Sequence, residues 1–181
     1  SFEHSVLRAL DPRARLVAVT LHRRESFGAP LERVLRAVKE AAGRWPGLTW
    51  IYPVHPNPHV RKAARLLRSS RVKLTPPLGY LDFIGLIKRA EFIVTDSGGV
   101  QEEAATLGKR VLVIREKTER PEILGREAAL IGTSRTRFLK EVGRLESARE
   151  GGSRGFRKTF GDGRAADRIA RAILSWDGRG A

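Results

Sequence analysis

Short apolar runs alternate with helix-spaced apolar residues along most of this chain, and few folds satisfy that alternation. Residues 15–21 predict a strand. Leu31, Val34, Leu35 and Val38 recur at helix spacing, and Trp45-Pro46-Gly47 stops that helix. A strand over 48–54 follows, then a helix over 58–67 entered through Asn57 and Pro58. A short strand at 71–74 precedes a helix at 80–89, with Phe83, Leu86 and Ile87 on one face. Strands at 92–95 and 111–114 flank the helix after Gly99. A last strand at 129–132 and helices at 135–145 and 165–176 complete the pattern. Alternation of this kind predicts an α/β fold, a parallel sheet with helices on both faces, with residues 1–181 as one domain. Ligands of such sheets bind at the carboxyl ends of the strands, where strand order reverses.

Composition narrows the function classes. With 181 residues, 41% of them hydrophobic, the chain can bury a core. No apolar run approaches the ~20 residues of a membrane span, so no membrane partner is expected. There is no cysteine, which fits a reducing cytoplasm. There is no methionine either, which points to a processed chain or a piece of a longer one. Lys plus Arg number 35 against 20 Asp plus Glu, a formal charge of +15. The excess is scattered, and no aromatic-interleaved basic strip of the single-strand-binding kind is present. It reads as an arginine-rich solvated surface that also favours anionic small molecules, rather than as a nucleic-acid interface.

Four polar clusters follow predicted strands. The sharpest is Thr95-Asp96-Ser97-Gly98-Gly99-Val100-Gln101-Glu102-Glu103, at a strand-to-helix turn. Two glycines there allow close backbone approach, and the first N–H groups of the helix suit a phosphate or pyrophosphate. Glu102 and Glu103 are expected in the first helical turn, one of them accepting from a sugar hydroxyl. An ordinary helix start with favourable first-turn acids is the competing reading. The other clusters are His22-Arg23-Arg24-Glu25-Ser26-Phe27-Gly28, His55-Pro56-Asn57-Pro58, and Arg115-Glu116-Lys117-Thr118-Glu119-Arg120-Pro121-Glu122. A histidine beside two arginines can serve an anion or a proton transfer. Each cluster alone is also what a surface loop presents; their joint placement at one sheet edge is the signal. No Walker-type loop and no Gly-x-Gly-x-x-Gly follow the first strand, against an ATPase or a nicotinamide dehydrogenase. His4, His22, His55 and His59 have no metal-ligand spacing. The segment 151–163, glycine-rich and basic, is expected to be mobile or to pack on something beyond this chain.

These clusters, with Gly108-Lys109, resemble the C-terminal half of the non-hydrolysing UDP-N-acetylglucosamine 2-epimerases, in order from about Arg15 to Trp176. The resemblance implies one of two Rossmann-like domains facing a cleft, as in B-type glycosyltransferases. It implies interconversion of UDP-N-acetylglucosamine and UDP-N-acetylmannosamine by elimination and re-addition of UDP, with no cofactor and no metal. Under it His22 serves the UDP phosphates and the active centre. Phe83 lies along the uracil, Ser97, Gly98 and Gly99 hold the diphosphate, Glu103 takes the ribose hydroxyls, and Arg120 binds the nucleotide. Arg23 and His55 match a second, regulatory UDP-sugar site of some bacterial members. Leu78 stands where the family often has glutamine, and Ser26 where it has asparagine. The implied partners are UDP and UDP-N-acetylhexosamine, an N-terminal domain carrying the catalytic carboxylates, and a second copy in a full-length homodimer. The alternative is the nucleotide-sugar-binding domain of a B-type glycosyltransferase, since fold does not fix reaction. The His-Arg-Arg-Glu run together with Thr-Glu-Arg-Pro-Glu favours the epimerase. A nucleic-acid binder, the third class, would show steep salt dependence and no nucleotide preference.

Overall fold

A computed structural model of the chain describes residues 4–68, 71–125, 127–148 and 159–176. Six strands form one parallel sheet: β1 (Arg15–Thr20), β2 (Leu48–Pro53), β3 (Val72–Thr75), β4 (Ala90–Thr95), β5 (Arg110–Val113) and β6 (Ala128–Leu130). Their spatial order is β3-β2-β1-β4-β5-β6. The helices are α1 (Ser5–Arg8), α2 (Ala29–Arg44), α3 (Pro58–Ala64), α4 (Tyr80–Arg89), α5 (Gly98–Thr106), α6 (Arg135–Ser147) and α7 (Ala165–Ser175). The expected helix over 58–67 divides into α3 and a 3-10 turn at Arg65–Leu67. The last strand begins one residue earlier and ends two residues earlier than expected.

Strand side chains alternate between the two faces, and each face has its own core. Val17, Val19, Trp50, Tyr52, Phe92, Val94 and Leu112 meet α2, α3 and α6. Leu16, Ala18, Ile51, Ile93, Val111 and Val113 meet α1, α4 and α5. Trp50 anchors the first core, edge-on to Phe92 with ring centroids 5.9 Å apart. Near-continuous apolar strands are what a sheet covered on both faces requires.

This layering fixes the site. Adjacent strands β1 and β4 pair from Leu16↔Ala90 to Thr20↔Thr95. The helix after β1, α2, lies on one face, and the helix after β4, α5, lies on the other. The two chains therefore part at the carboxyl ends of β1 and β4, leaving the crevice in which such sheets bind ligands.

One local feature differs from the sequence reading. Ser97 caps α5, so its first turn runs from Gly98, and Glu102 and Glu103 fall in the second turn. First-turn acids therefore do not explain this helix start. Gly108-Lys109 ends the helix: Gly108 has φ +66°, its N–H donates to the Ala105 carbonyl (2.9 Å), and Lys109 N–H donates to the Ala104 carbonyl (2.8 Å). That paired closure needs a left-handed residue, which explains the glycine. Of the expected loop at 151–163, residues 151–158 lie outside the described residues. α7 carries Ile169, Ile173 and Leu174 exposed, with Trp176 exposed just beyond its end. No helix among the described residues is long and apolar enough to cross a membrane.

Candidate functional site

The site is built on four loops at the carboxyl edge, after β1, β2, β4 and β5, and tied by a buried carboxylate, Asp96. Asp96 directly follows β4 and is fully buried. Its Oδ2 accepts from the backbone N–H groups of His22 and Arg23, both at 2.9 Å. Burial raises its pKa, while those N–H groups and the neighbouring His22 oppose the rise. The loop after β1 thus hangs from β4 across the switch point. Tyr52 supports it from β2, its buried hydroxyl donating to the Leu21 carbonyl at 2.8 Å.

His22 is half-buried above this carboxylate, its Nδ1 3.7 Å from Asp96 Oδ1 and 3.4 Å from Thr20 Oγ1. Its ring stacks on His55, from the loop after β2, with centroids 5.3 Å apart and planes 13° from parallel. His55 Nδ1 accepts from Asn57 N–H, and the Asn57 side chain accepts from His59 N–H to cap α3. The sequence-predicted His22 and His55 are therefore in direct contact.

The glycine turn opens α5. Ser97 Oγ caps Val100 N–H, whereas no acceptor for the N–H groups of Gly98 or Gly99 is found among the described residues. Neither glycine has positive φ. An added Cβ on Gly99 would meet nothing within 4 Å, and one on Gly98 only Glu119 Oε2, at 3.7 Å. Backbone conformation and packing thus do not require glycine at either position. A ligand approaching the backbone closely would.

Beside this helix start, the guanidinium groups of Arg23, Arg115 and Arg120 meet the carboxylates of Glu25, Glu119 and Glu102, with Glu25 3.4 Å from Arg23 and 3.3 Å from Arg115. Arg115 holds Glu119 with two hydrogen bonds of 3.0 Å. Arg23 is 3.8 Å from Glu119, and Arg120 donates to the Glu119 carbonyl at 2.9 Å. The hydrogen bonds from Arg115, and then the charges of Arg115, Arg23 and Arg120, hold the Glu119 carboxyl below its ordinary range. That environment favours the ionised form of Glu119. Arg120 is also paired with Glu102 through its Nε.

Glu103, one position on, is half-buried, and burial raises its pKa against an opposing hydrogen bond from Tyr80. It lines a cavity of about 380 Å³ with Tyr80, Ile84, Thr106 and Phe160. Phe83 is not in that lining: it packs with Leu78 and Ile84 against the second core. The structure thus brings together His22, Arg23, His55, Ser97, Gly98, Gly99 and Arg120, with Glu103 opening into the neighbouring cavity. Sequence reading missed Asp96 and Arg115 as organisers of the site. The signal for Asp96 was a carboxylate directly after an apolar strand, where nothing but function or a buried partner would place it. Among the described residues no group of three or more His, Asp or Glu side chains is placed to hold a metal.

The comparisons fit this geometry. The sequence model of a family described as UDP-N-acetylglucosamine 2-epimerase matches residues 2–174. The UDP-N-acetylglucosamine 2-epimerase of Escherichia coli K12 is 41% identical over 170 residues, 91% of this chain and 45% of that protein. The crystal structure of the Neisseria meningitidis UDP-GlcNAc 2-epimerase bound to UDP-GlcNAc superposes with a TM-score of 0.86 at 31% identity, covering 95% of this chain and 48% of that one. The Methanocaldococcus jannaschii UDP-GlcNAc 2-epimerase, in complex with UDP-GlcNAc and UDP, superposes with a TM-score of 0.75 at 27% identity over 96% and 49%. The chain spans about half the length of the curated relatives it matches.

Proposed function

The chain belongs to the UDP-N-acetylglucosamine 2-epimerase family, and from that premise we propose that it is the UDP-binding half of a non-hydrolysing epimerase. The proposed reaction interconverts UDP-N-acetylglucosamine and UDP-N-acetylmannosamine. A base removes the C2 proton and the C1–O bond to UDP breaks, leaving a glycal. UDP then re-adds at C1 while a proton returns to the opposite face of C2. Residues 1–181 are read as one Rossmann-like domain of a two-domain protein. Because relatives are about twice as long, the carboxylates for proton transfer are assigned to the other half.

One observation carries the reading: the N–H groups of Gly98 and Gly99 have no acceptor among the described residues, at a turn where neither backbone angle nor packing requires glycine, beside guanidinium groups that already hold a carboxylate. In the proposal Ser97, Gly98 and Gly99 hold the diphosphate and Arg120 binds the nucleotide. Glu103 takes the ribose hydroxyls and Phe83 flanks the uracil. For Phe83 the support is the family resemblance alone, since its ring is half-buried against the core. His22 faces the departing UDP and is the catalytic residue of this half. Arg23 and His55, the latter stacked on His22, are proposed to touch a second UDP-sugar. The absence of cysteine supports a cytoplasmic setting, and the resemblance supports a homodimer for the longer protein. The apolar residues of α7 and its end, Ile169, Ile173, Leu174 and Trp176, are consistent with a domain that packs on more protein.

The test is catalysis. One half of a cleft supplies neither the full orientation of the substrate nor full stabilisation of departing UDP. The 181-residue chain should therefore show no epimerisation by NMR of the anomeric protons, whereas the longer protein should interconvert the epimers. His22→Ala in that longer protein should lower kcat by about 100-fold or more, the range of a lost acid–base group. Turnover by the isolated chain would refute the division of labour. Unchanged turnover in the His22→Ala enzyme would refute the role of His22.

A further inference from the structure

Gln101 and Thr118 are absent from the assignments above, yet they join the two loops proposed to hold UDP. Gln101 sits one turn into α5 and is fully buried, an unusual place for a side-chain amide. Its Nε2 donates to the Ser97 carbonyl at 3.2 Å. Its Oε1 accepts from Thr118 Oγ1 at 2.7 Å. Thr118 Oγ1 in turn accepts from Arg120 N–H at 3.1 Å.

The direction of this chain is forced. The Ser97 carbonyl can only accept, so Gln101 aims its amide protons there and presents its own carbonyl to Thr118. Thr118 must then donate its one proton to Gln101, and its oxygen accepts from Arg120 N–H. A buried amide satisfied at both ends fixes one arrangement of its neighbours. One end of the relay is the residue that caps α5 and precedes Gly98. The other is the backbone of Arg120, whose side chain is paired with Glu102 from the same helix.

We propose that Gln101 and Thr118 are positioning residues. They set the spacing between the Ser97–Gly99 turn and Arg120, so that both engage one nucleotide diphosphate. This rests on the UDP-binding reading above and adds the device that registers its two contacts. A role confined to stability would predict instead that loss of the relay weakens folding and leaves UDP affinity alone.

The experiment is a double-mutant cycle on this chain, with UDP as the titrant in calorimetry and circular dichroism to confirm folding. Thr118 is only half-buried and is the tractable member. Thr118→Val, which keeps the shape and deletes the hydroxyl, is expected to weaken UDP about tenfold. Thr118→Ser, which restores the hydroxyl, is expected to bind within about twofold of the parent. In an Arg120→Ala background, Thr118→Val is expected to add less than about twofold, because it acts through Arg120. Parental affinity in folded Thr118→Val, or a tenfold loss that persists in the Arg120→Ala background, would overturn the relay. Failure of the folded parent to bind UDP would overturn the site itself, a separate result from additive losses in a parent that binds.

Discussion

At the scale of single residues, this site holds groups that its fold does not need. Gly98 and Gly99 have ordinary backbone angles and open space where a Cβ would stand. Gly98→Val should cost no more than about 1 kcal/mol of stability, the span of helix propensities. It should weaken UDP at least tenfold by blocking approach to the turn; denaturant melts and calorimetry separate the two effects. Glu103 makes the same point through charge. Its carboxyl is raised above its ordinary 4.5, first by burial and also by Glu102, against the Tyr80 hydrogen bond. The folded protein then holds that proton to higher pH than the unfolded chain does. Stability is lost as pH rises from about the unfolded value through the folded one, and stays lower above it. Glu103→Gln removes the ionisation. Its melting temperature relative to the parent should climb between pH 4 and pH 7, while its UDP affinity falls. A difference that stays flat or shrinks with pH would contradict burial as the dominant cause.

At the scale of elements, the loops are positioned from neighbouring strands. Asp96 directly follows β4 but holds the loop of β1. Asp96→Ala should leave two backbone N–H groups without their acceptor, costing on the order of 1–3 kcal/mol. Amide exchange at His22 and Arg23 should quicken while exchange in α6 does not. Asp96→Asn keeps an acceptor oxygen and should lose less. Such ties mark what sequence can and cannot disclose. The order of strands and helices was legible because apolar spacing alone betrays it, and the loop clusters were legible because they follow the apolar runs. The partners of Asp96 were not, because they depend on which distant strand lies alongside. That pairing sets His22 against Asp96, 74 residues away. The turn occupied by Glu102 and Glu103 was misplaced because the capping of Ser97 moves the helix start by a few residues, a shift that side-chain spacing does not encode. Phe83 showed the reverse. Its periodicity with Leu86 and Ile87 marks a core face, and the structure keeps it half in that core.

At the scale of the molecule, a doubly covered parallel sheet brings His22, the Ser97–Gly99 turn and the Arg120 loop to one crevice. Of the chain's cations, Arg23, Arg115 and Arg120 gather there around the Glu119 carboxylate, with Glu25 and Glu102 also paired to them. A diphosphate carries more charge than that carboxylate and two ends with which to reach both the helix start and the arginines. The central claim is that this half of the protein recognises nucleotide rather than sugar. Calorimetric titration of the folded 181-residue chain with UDP and with free N-acetylglucosamine, at matched salt, tests it directly. The account predicts saturable binding of UDP, weaker than that of a closed cleft, and no detectable binding of N-acetylglucosamine. Absence of UDP binding by the folded chain, or equal binding of both, would contradict it.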